Sequence, residues 1–397
     1  MDRDRTGWRD CLLAGAVFLV CMAGTTLPTP LYGLYQEKFG FSELIVTVVY
    51  AVYAFGVIGV LLLAGNASDA VGRRPVLLMG LGCAAASALC FLAATGLGWL
   101  YAGRLLSGLS AGLFTGAATA YVLELAPPGR SERATFVATA SNMGGLGCGP
   151  LLAGLLAQYA ARPLQLPFVV HLVLVAVSAG ILLRLPETVR ERRPLATVRP
   201  QKPGLPAQVR AVFAPAATAS FVGFALFGVF TSVSPAFLAQ SLDVHNRAVS
   251  GLVVALAFFA STAGQLAVGR VGVRRALPLG CAALLGGLVL LAGALRWDLL
   301  PLVVASAVVG GAGQGLSFRA ALVAVAGASP EHERAAVIST LFVVAYAGIS
   351  VPVIGVGLLA DPMGLEGAGL VFITCMSVLV TGAAVYLLRR PVGAART

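Results

Sequence analysis

Twelve apolar runs, each long enough to cross a bilayer, limit what this chain can fold into. Charges and Pro/Gly punctuation bound them at roughly 11–34, 44–66, 76–97, 99–124, 134–160, 166–185, 212–238, 249–269, 276–295, 299–327, 335–360 and 367–388. A spanning helix needs about 20 apolar residues. The 397 residues are 58% hydrophobic and only 11% charged, against about 25% charged in ordinary soluble domains. So few charges could not cover the surface of a water-soluble globule. The pattern predicts an all-α polytopic membrane protein with twelve transmembrane helices. It excludes a disordered chain and a secreted disulfide scaffold. The first run is too long for a signal peptide, is interrupted by Pro28 and Pro30, and lacks a small-residue cleavage site, so it reads as a retained helix.

A net charge of +11 would suggest nucleic acid in a soluble protein. Its placement along the chain gives a different reading. With the N-terminus inside, 21 of the 27 basic residues fall on the inner side. Only Lys38, Arg162, Arg247 and Arg296 fall outside, while Arg104 and Arg319 lie within spans. Basic residues collect on the cytoplasmic side of membrane proteins. Both termini are therefore expected in the cytoplasm of a bacterium, with the chain in the inner membrane and no nucleic-acid partner. The longest polar stretch, PETVRERRPLATVRPQKPGLPAQVRA at 186–211, reads as a basic, proline-rich cytoplasmic linker. It separates an N-terminal six-helix bundle (1–185) from a C-terminal one (212–397).

The two halves resemble each other in sequence. Gly-Cys-Ala-Ala at 82–85 recurs at 280–283, Glu-Arg-Ala at 132–134 at 333–335, and Gly-Leu-Leu-Ala at 154–157 at 357–360. Thr29-Pro30 pairs with Ser234-Pro235, and Gly72-Arg73-Arg74 pairs with Gly272-Val273-Arg274. Shared order and spacing predict a duplicated six-helix unit, hence two pseudo-symmetric bundles around a central site. Internal repeats of this kind are typical of secondary transporters.

Four motifs follow in order. The loop after the second run reads Gly65-Asn66-Ala67-Ser68-Asp69-Ala70-Val71-Gly72-Arg73-Arg74-Pro75. The fourth run begins Arg104-Leu105-Leu106-Ser107-Gly108 and continues to Gly112, then ends Glu124-Leu125-Ala126-Pro127-Pro128-Gly129-Arg130. The fifth carries Gly145, Gly149-Pro150 and Gly154. These resemble the GxxxDxxGRR, RxxxG, ExxPxxxR and GxxxGPxxGG patterns of the major facilitator superfamily, the last being associated with its drug:proton antiporter branch. Ala153 stands where that branch carries the first of two glycines. The resemblance implies that Asp69, Gly72, Arg73, Arg74, Glu124 and Arg130 form a latch and coupling network on the cytoplasmic side. It further implies that the fifth helix belongs to an exporter. Residue by residue, Glu124 also fits a plain helix-end charge, and the fifth helix a kinked packing helix.

Polar residues inside spans are costly and therefore informative. Thr25, Thr29 and Tyr32 share a face of the first helix, and Phe227, Thr231 and Ser234 repeat that pattern in the seventh. Tyr53, Asn142, Gln314 and Tyr346 add to a predicted substrate cavity. All sixteen Asp and Glu fall in loops or at helix ends, whereas Arg104 and Arg319 lie at membrane depth. The cavity is therefore expected to be neutral to positive and to prefer neutral or anionic amphipathic compounds. His171 is a candidate proton carrier by its intrinsic pKa, and a packed histidine serves equally as a reading.

No phosphate-binding loop, nucleophile–base pair or metal-ligand spacing appears, and the seven cysteines lack CxxC spacing. The sequence thus points to a monomeric, proton-coupled secondary transporter without cofactors, working on a small molecule. A sugar or organic-acid carrier of the same superfamily is the competing reading.

Overall fold

In lipid every backbone polar group must be satisfied within the protein, so long apolar runs become helices. The computed structural model is built that way. It describes residues 2–192, 194, 200 and 203–389. Parts of the basic linker, including Arg193, Arg199 and Lys202, lie outside the described residues, as do Arg390 and Arg396 of the predicted cytoplasmic C-terminus.

Among the described residues fourteen α-helices follow one another, and no strand occurs. They are α1 (Asp2–Thr26), α2 (Tyr32–Phe39), α3 (Glu43–Ala64), α4 (Ala67–Val71), α5 (Arg73–Leu92), α6 (Leu97–Leu125), α7 (Ser131–Tyr159) and α8 (Leu166–Arg184), then α9 (Arg210–Ser232), α10 (Ser234–Gln240), α11 (Arg247–Val271), α12 (Val273–Trp297), α13 (Leu300–Ala328) and α14 (Arg334–Arg389). The predicted first run is broken where Pro28 and Pro30 stand: a 3-10 turn, Thr29–Leu31, joins α1 to α2. Pro235 marks the same break between α9 and α10.

Ten helical segments are long and apolar enough to span by composition alone. Two more complete the twelve. α7 has the same 29 residues as α6, but Ser, Thr, Asn, Gln and Gly dilute its apolar character. α14, at 56 residues, is two helices meeting at Gly364, whose φ of 72° and ψ of 168° are not helical.

The chain forms two compact units. One comprises Met1–Phe39 with Val52–Gln201, the other Gly40–Ala51 with Lys202–Thr397. Within the first, Phe91 stacks on Phe168 at 4.9 Å and also meets Tyr35, and Arg104 is the largest fully buried side chain. Within the second, the rings of Phe224, Phe318, Phe342 and Tyr346 pack in series.

The repeat is visible in the helix seams. Gly108 and Gly112 of α6 face the carbonyls of Tyr53 and Val57 on α3, and their equivalents Gly311 and Gly315 of α13 face those of Ala257 and Ser261 on α11. Gly145 of α7 faces the carbonyl of Leu19 on α1, as Gly348 of α14 faces that of Phe221 on α9. Small residues let helix backbones approach in lipid, where packing rather than water drives association. Gly72 and Gly272 share positive φ (116° and 80°) at the starts of α5 and α12.

Candidate functional site

The motif between α3 and α5 folds around one guanidinium. Arg73 Nη1 lies 2.6 Å from Asp69 Oδ1 and donates to Ser68 Oγ at 2.7 Å. Its Nη2 and Nε reach the two oxygens of Glu124 at 2.8 and 3.3 Å. The fork geometry of arginine suits this two-oxygen grip. Local structure makes it possible: Asp69 and Arg73 are four apart across the α4–α5 turn, and Gly72 supplies the left-handed bend. The Arg73 side chain is 11% exposed, Glu124 36% and Asp69 64%, so the pocket is sealed on the arginine side and wet on the aspartate side.

The segment after α8 closes the cluster. Glu187 accepts the backbone N–H groups of Arg73 at 3.0 Å and Arg74 at 3.1 Å, placing a carboxylate at the N-terminus of α5, where the helix dipole favours it. A Cβ on Gly72 would meet that carboxylate at 2.7 Å. Thr188 donates to Glu124 at 2.5 Å, Tyr121 to the Pro186 carbonyl at 2.6 Å, and Arg74 to the Leu183 carbonyl at 2.7 Å. Sequence reasoning does not single out Glu187, Thr188, Tyr121 or Ser68 for this network. For Glu187 and Thr188 the one signal is Pro186-Glu187-Thr188, a carboxylate directly following a span end. Arg130, expected in the network, is exposed and has no ion pair among the described residues. It ends a tight turn, its N–H bonded to the Pro127 carbonyl, which leaves the side chain facing water.

Deeper in the first unit, Arg104 is 1% exposed. Its Nη1 donates to the Thr25 carbonyl at 2.6 Å, and its guanidinium lies 4.7 Å over the Tyr53 ring. Thr25 is in the last turn of α1, where carbonyls lack helical partners and a positive charge is favoured. Expected as a cavity charge, Arg104 thus caps a helix end and stacks on an aromatic face. Thr25 turns its own hydroxyl to the Met22 carbonyl, Thr29 is buried in the turn that follows, and the Tyr32 hydroxyl is buried without a partner among the described residues. Asn142 Oδ1 and His171 Nε2 are likewise unpartnered among them. His171 lines a cavity of about 10 Å³ with Ser107 and Ser110. That holds about one water.

In the second unit, Gln314 accepts from Ser261 at 2.6 Å, Thr231 bonds back to the Phe227 carbonyl at 2.7 Å, and Phe227 packs edge-on against Phe258. Tyr346 joins the aromatic series. Arg319, half-buried on α13, has no ion pair among the described residues.

The α7 motif is a seam. Gly145 and Gly149 press on α1 at Leu19 and Ala23, and the Thr26 hydroxyl donates to the Leu146 carbonyl at 2.7 Å. Pro150 and Gly154 are buried in the same helix. Among the described residues, no three His, Cys, Asp or Glu side chains converge as metal ligands would.

Twelve helices in two repeats, joined to an arginine–carboxylate network at a helix turn, define a membrane transporter. The sequence model of the Major Facilitator Superfamily matches residues 13–292, and the chain belongs to that family. It is therefore a multi-pass membrane transporter and not an enzyme. A puromycin resistance protein, pur8, of Streptomyces alboniger is 32% identical over 156 residues, which is 39% of this chain and 31% of that protein. The match spans about a third of that relative's length. Among solved structures, a bacterial homolog of the human lysosomal transporter Spinster aligns over 98% of this chain and 99% of its own, with TM-score 0.72 and 15% identity. A POT family transporter in complex with a thioalcohol-conjugated peptide aligns over 96% of both chains, with TM-score 0.74 and 12% identity. A point mutant of the nucleoside transporter NupG covers 95% of this chain and 98% of its own, with TM-score 0.70 and 15% identity. At these identities the structural likeness speaks to fold.

Proposed function

We propose that this chain is a monomeric exporter in the inner membrane of a bacterium, with both termini cytoplasmic. It moves small neutral or anionic amphipathic compounds outward by alternating access, driven by proton antiport. The observation that carries this reading is the α7–α1 seam at Gly145 and Gly149, because that glycine-proline pattern resembles the drug-exporter branch. The partial match to a puromycin resistance protein supports the same direction.

The sign of the substrate rests on Arg319. It is a half-buried charge on a spanning helix without a described carboxylate partner, and its chain neighbour Phe318 belongs to the aromatic series. Aromatic walls with one cation suit an amphipathic anion. Arg319→Ala is expected to raise the KM of anionic substrates about ten-fold and to leave neutral ones nearly unchanged. Transport of counterpart substrates that differ only in a carboxylate checks this. Equal loss for both would sink the electrostatic assignment.

Coupling is assigned to Asp69 and Glu124, the two carboxylates that hold Arg73. Protonating either one releases part of the grip, which ties proton uptake to opening of that end. A growth screen of an exporter-deficient host against a panel of toxic compounds identifies substrates. With one in hand, everted vesicles held acidic inside should lose lumenal protons when it is added. Asp69→Asn should abolish that proton release while the chain remains in the membrane. A proven substrate that moves no protons would remove antiport from the proposal.

A further inference from the structure

Both halves place two arginines just after a glycine at a helix start, one residue later in the second half, and treat them differently. In the first, Arg73 and Arg74 are engaged by Asp69, Glu124, Glu187 and the Leu183 carbonyl. In the second, Gly272 takes the place of Gly72, and Arg274 and Arg275 follow it at the start of α12. The acidic partners are gone. Gly269 stands where Asp69 would be, and Gly327 where Glu124 would be. Neither Arg274 nor Arg275 pairs with any described carboxylate, and both are exposed. Beside Gly72 a Cβ would strike Glu187, whereas beside Gly272 there is nothing within 4 Å.

This corner opens into a groove of about 350 Å³ between the start of α12 and the end of α14. Leu277 and Leu387 form a buried floor, and Pro278, Leu279 and Leu388 line it further, with Leu388 74% exposed. Arg274 and Arg275 stand at its polar mouth, and no described carboxylate lines it. The groove is thus apolar along its length and doubly cationic at one end. It sits at the terminus of two spanning helices, where headgroups meet acyl chains.

We propose that this groove binds one anionic phospholipid. The phosphate sits between Arg274 and Arg275, and an acyl chain lies along Leu279 and Leu388. Charge complementarity selects the headgroup, since two uncompensated guanidinia favour a net-negative lipid. The leucine floor selects a lipid over a soluble anion, because a free phosphate would leave that apolar surface in water. The lipid supplies in the second half the negative charge that Asp69, Glu124 and Glu187 supply in the first.

The test is lipid retention on the full chain, purified in mild detergent and titrated with phosphatidylglycerol or with phosphatidylcholine of identical acyl chains. Native mass spectrometry reads the adducts. Phosphatidylglycerol should be retained about ten-fold better. The double variant Arg274→Gln, Arg275→Gln should lose that preference, and Arg296→Gln, at the other end of α12, should keep it. Inorganic phosphate at millimolar concentration should not displace the lipid. Equal retention of the two lipids by the wild-type chain, preference kept in the double variant, or displacement by phosphate would each overturn the proposal. The wild-type comparison stands whether or not the variant folds.

Discussion

Arg73→Gln is expected to lower export about ten-fold or more without removing the chain from the membrane. Arg73 joins three elements: the α4 turn through Asp69 and Ser68, α6 through Glu124, and its own helix start, which Glu187 caps. Removing one partner of a buried ion pair costs about 3–5 kcal/mol. Water reaches Glu124 and Asp69, at 36% and 64% exposure, so the loss here is about 1–3 kcal/mol. Each 1.4 kcal/mol or so changes a population about ten-fold, enough to unbalance two conformations that a transport cycle must visit in turn. Arg73→Lys should recover part of the activity only. An ammonium keeps the charge but cannot hold both oxygens of Glu124 and Asp69 in one plane. Export of an identified substrate, normalised to the amount of chain in the membrane, measures the effect. Activity within about two-fold of wild type in Arg73→Gln would remove the latch role.

Much of the architecture is legible in the sequence because lipid leaves few alternatives to an apolar helix. The breaks are legible too, at Pro28 and Pro30 and at Pro235. What the local pattern does not encode is partnership across the chain. Glu187 lies 114 residues from Arg73, and Pro186-Glu187-Thr188 reads in the sequence only as the ending of a span, yet Glu187 caps the helix that Arg73 begins. Arg104 is recognisable as a charge at membrane depth. That the end of α1 and the Tyr53 ring absorb it depends on packing between three helices. Arg130 matches its motif in spacing, but the turn before α7 points it outward. The glycines of α7 are readable as a seam, while the identity of the opposing helix is not.

That seam carries the second large effect. Gly149→Ala is expected to lower the unfolding temperature in detergent and to remove most export. A Cβ there would meet the Thr26 hydroxyl at 2.6 Å and lie closer still to the Ala23 carbonyl. The obstacle on the Ala23 side is backbone, which cannot swing away as a flexible side chain can. Either α7 moves off α1, breaking the Thr26–Leu146 hydrogen bond, or strain of about 1–3 kcal/mol is stored. Gly149→Val should be worse. The control is internal to the helix: a Cβ placed on Gly144 would have nothing within 4 Å. Alanine there should hold or raise stability, by up to about 1 kcal/mol, through helix propensity. Gly348→Ala, at the matching seam of the second half, should behave as Gly145→Ala does, since both press on a backbone carbonyl. Thermal unfolding and export of the four alanine variants separate a seam from a general intolerance of α7 to substitution. If Gly149→Ala and Gly144→Ala proved indistinguishable in both, close contact between α7 and α1 would have no part in the transport cycle.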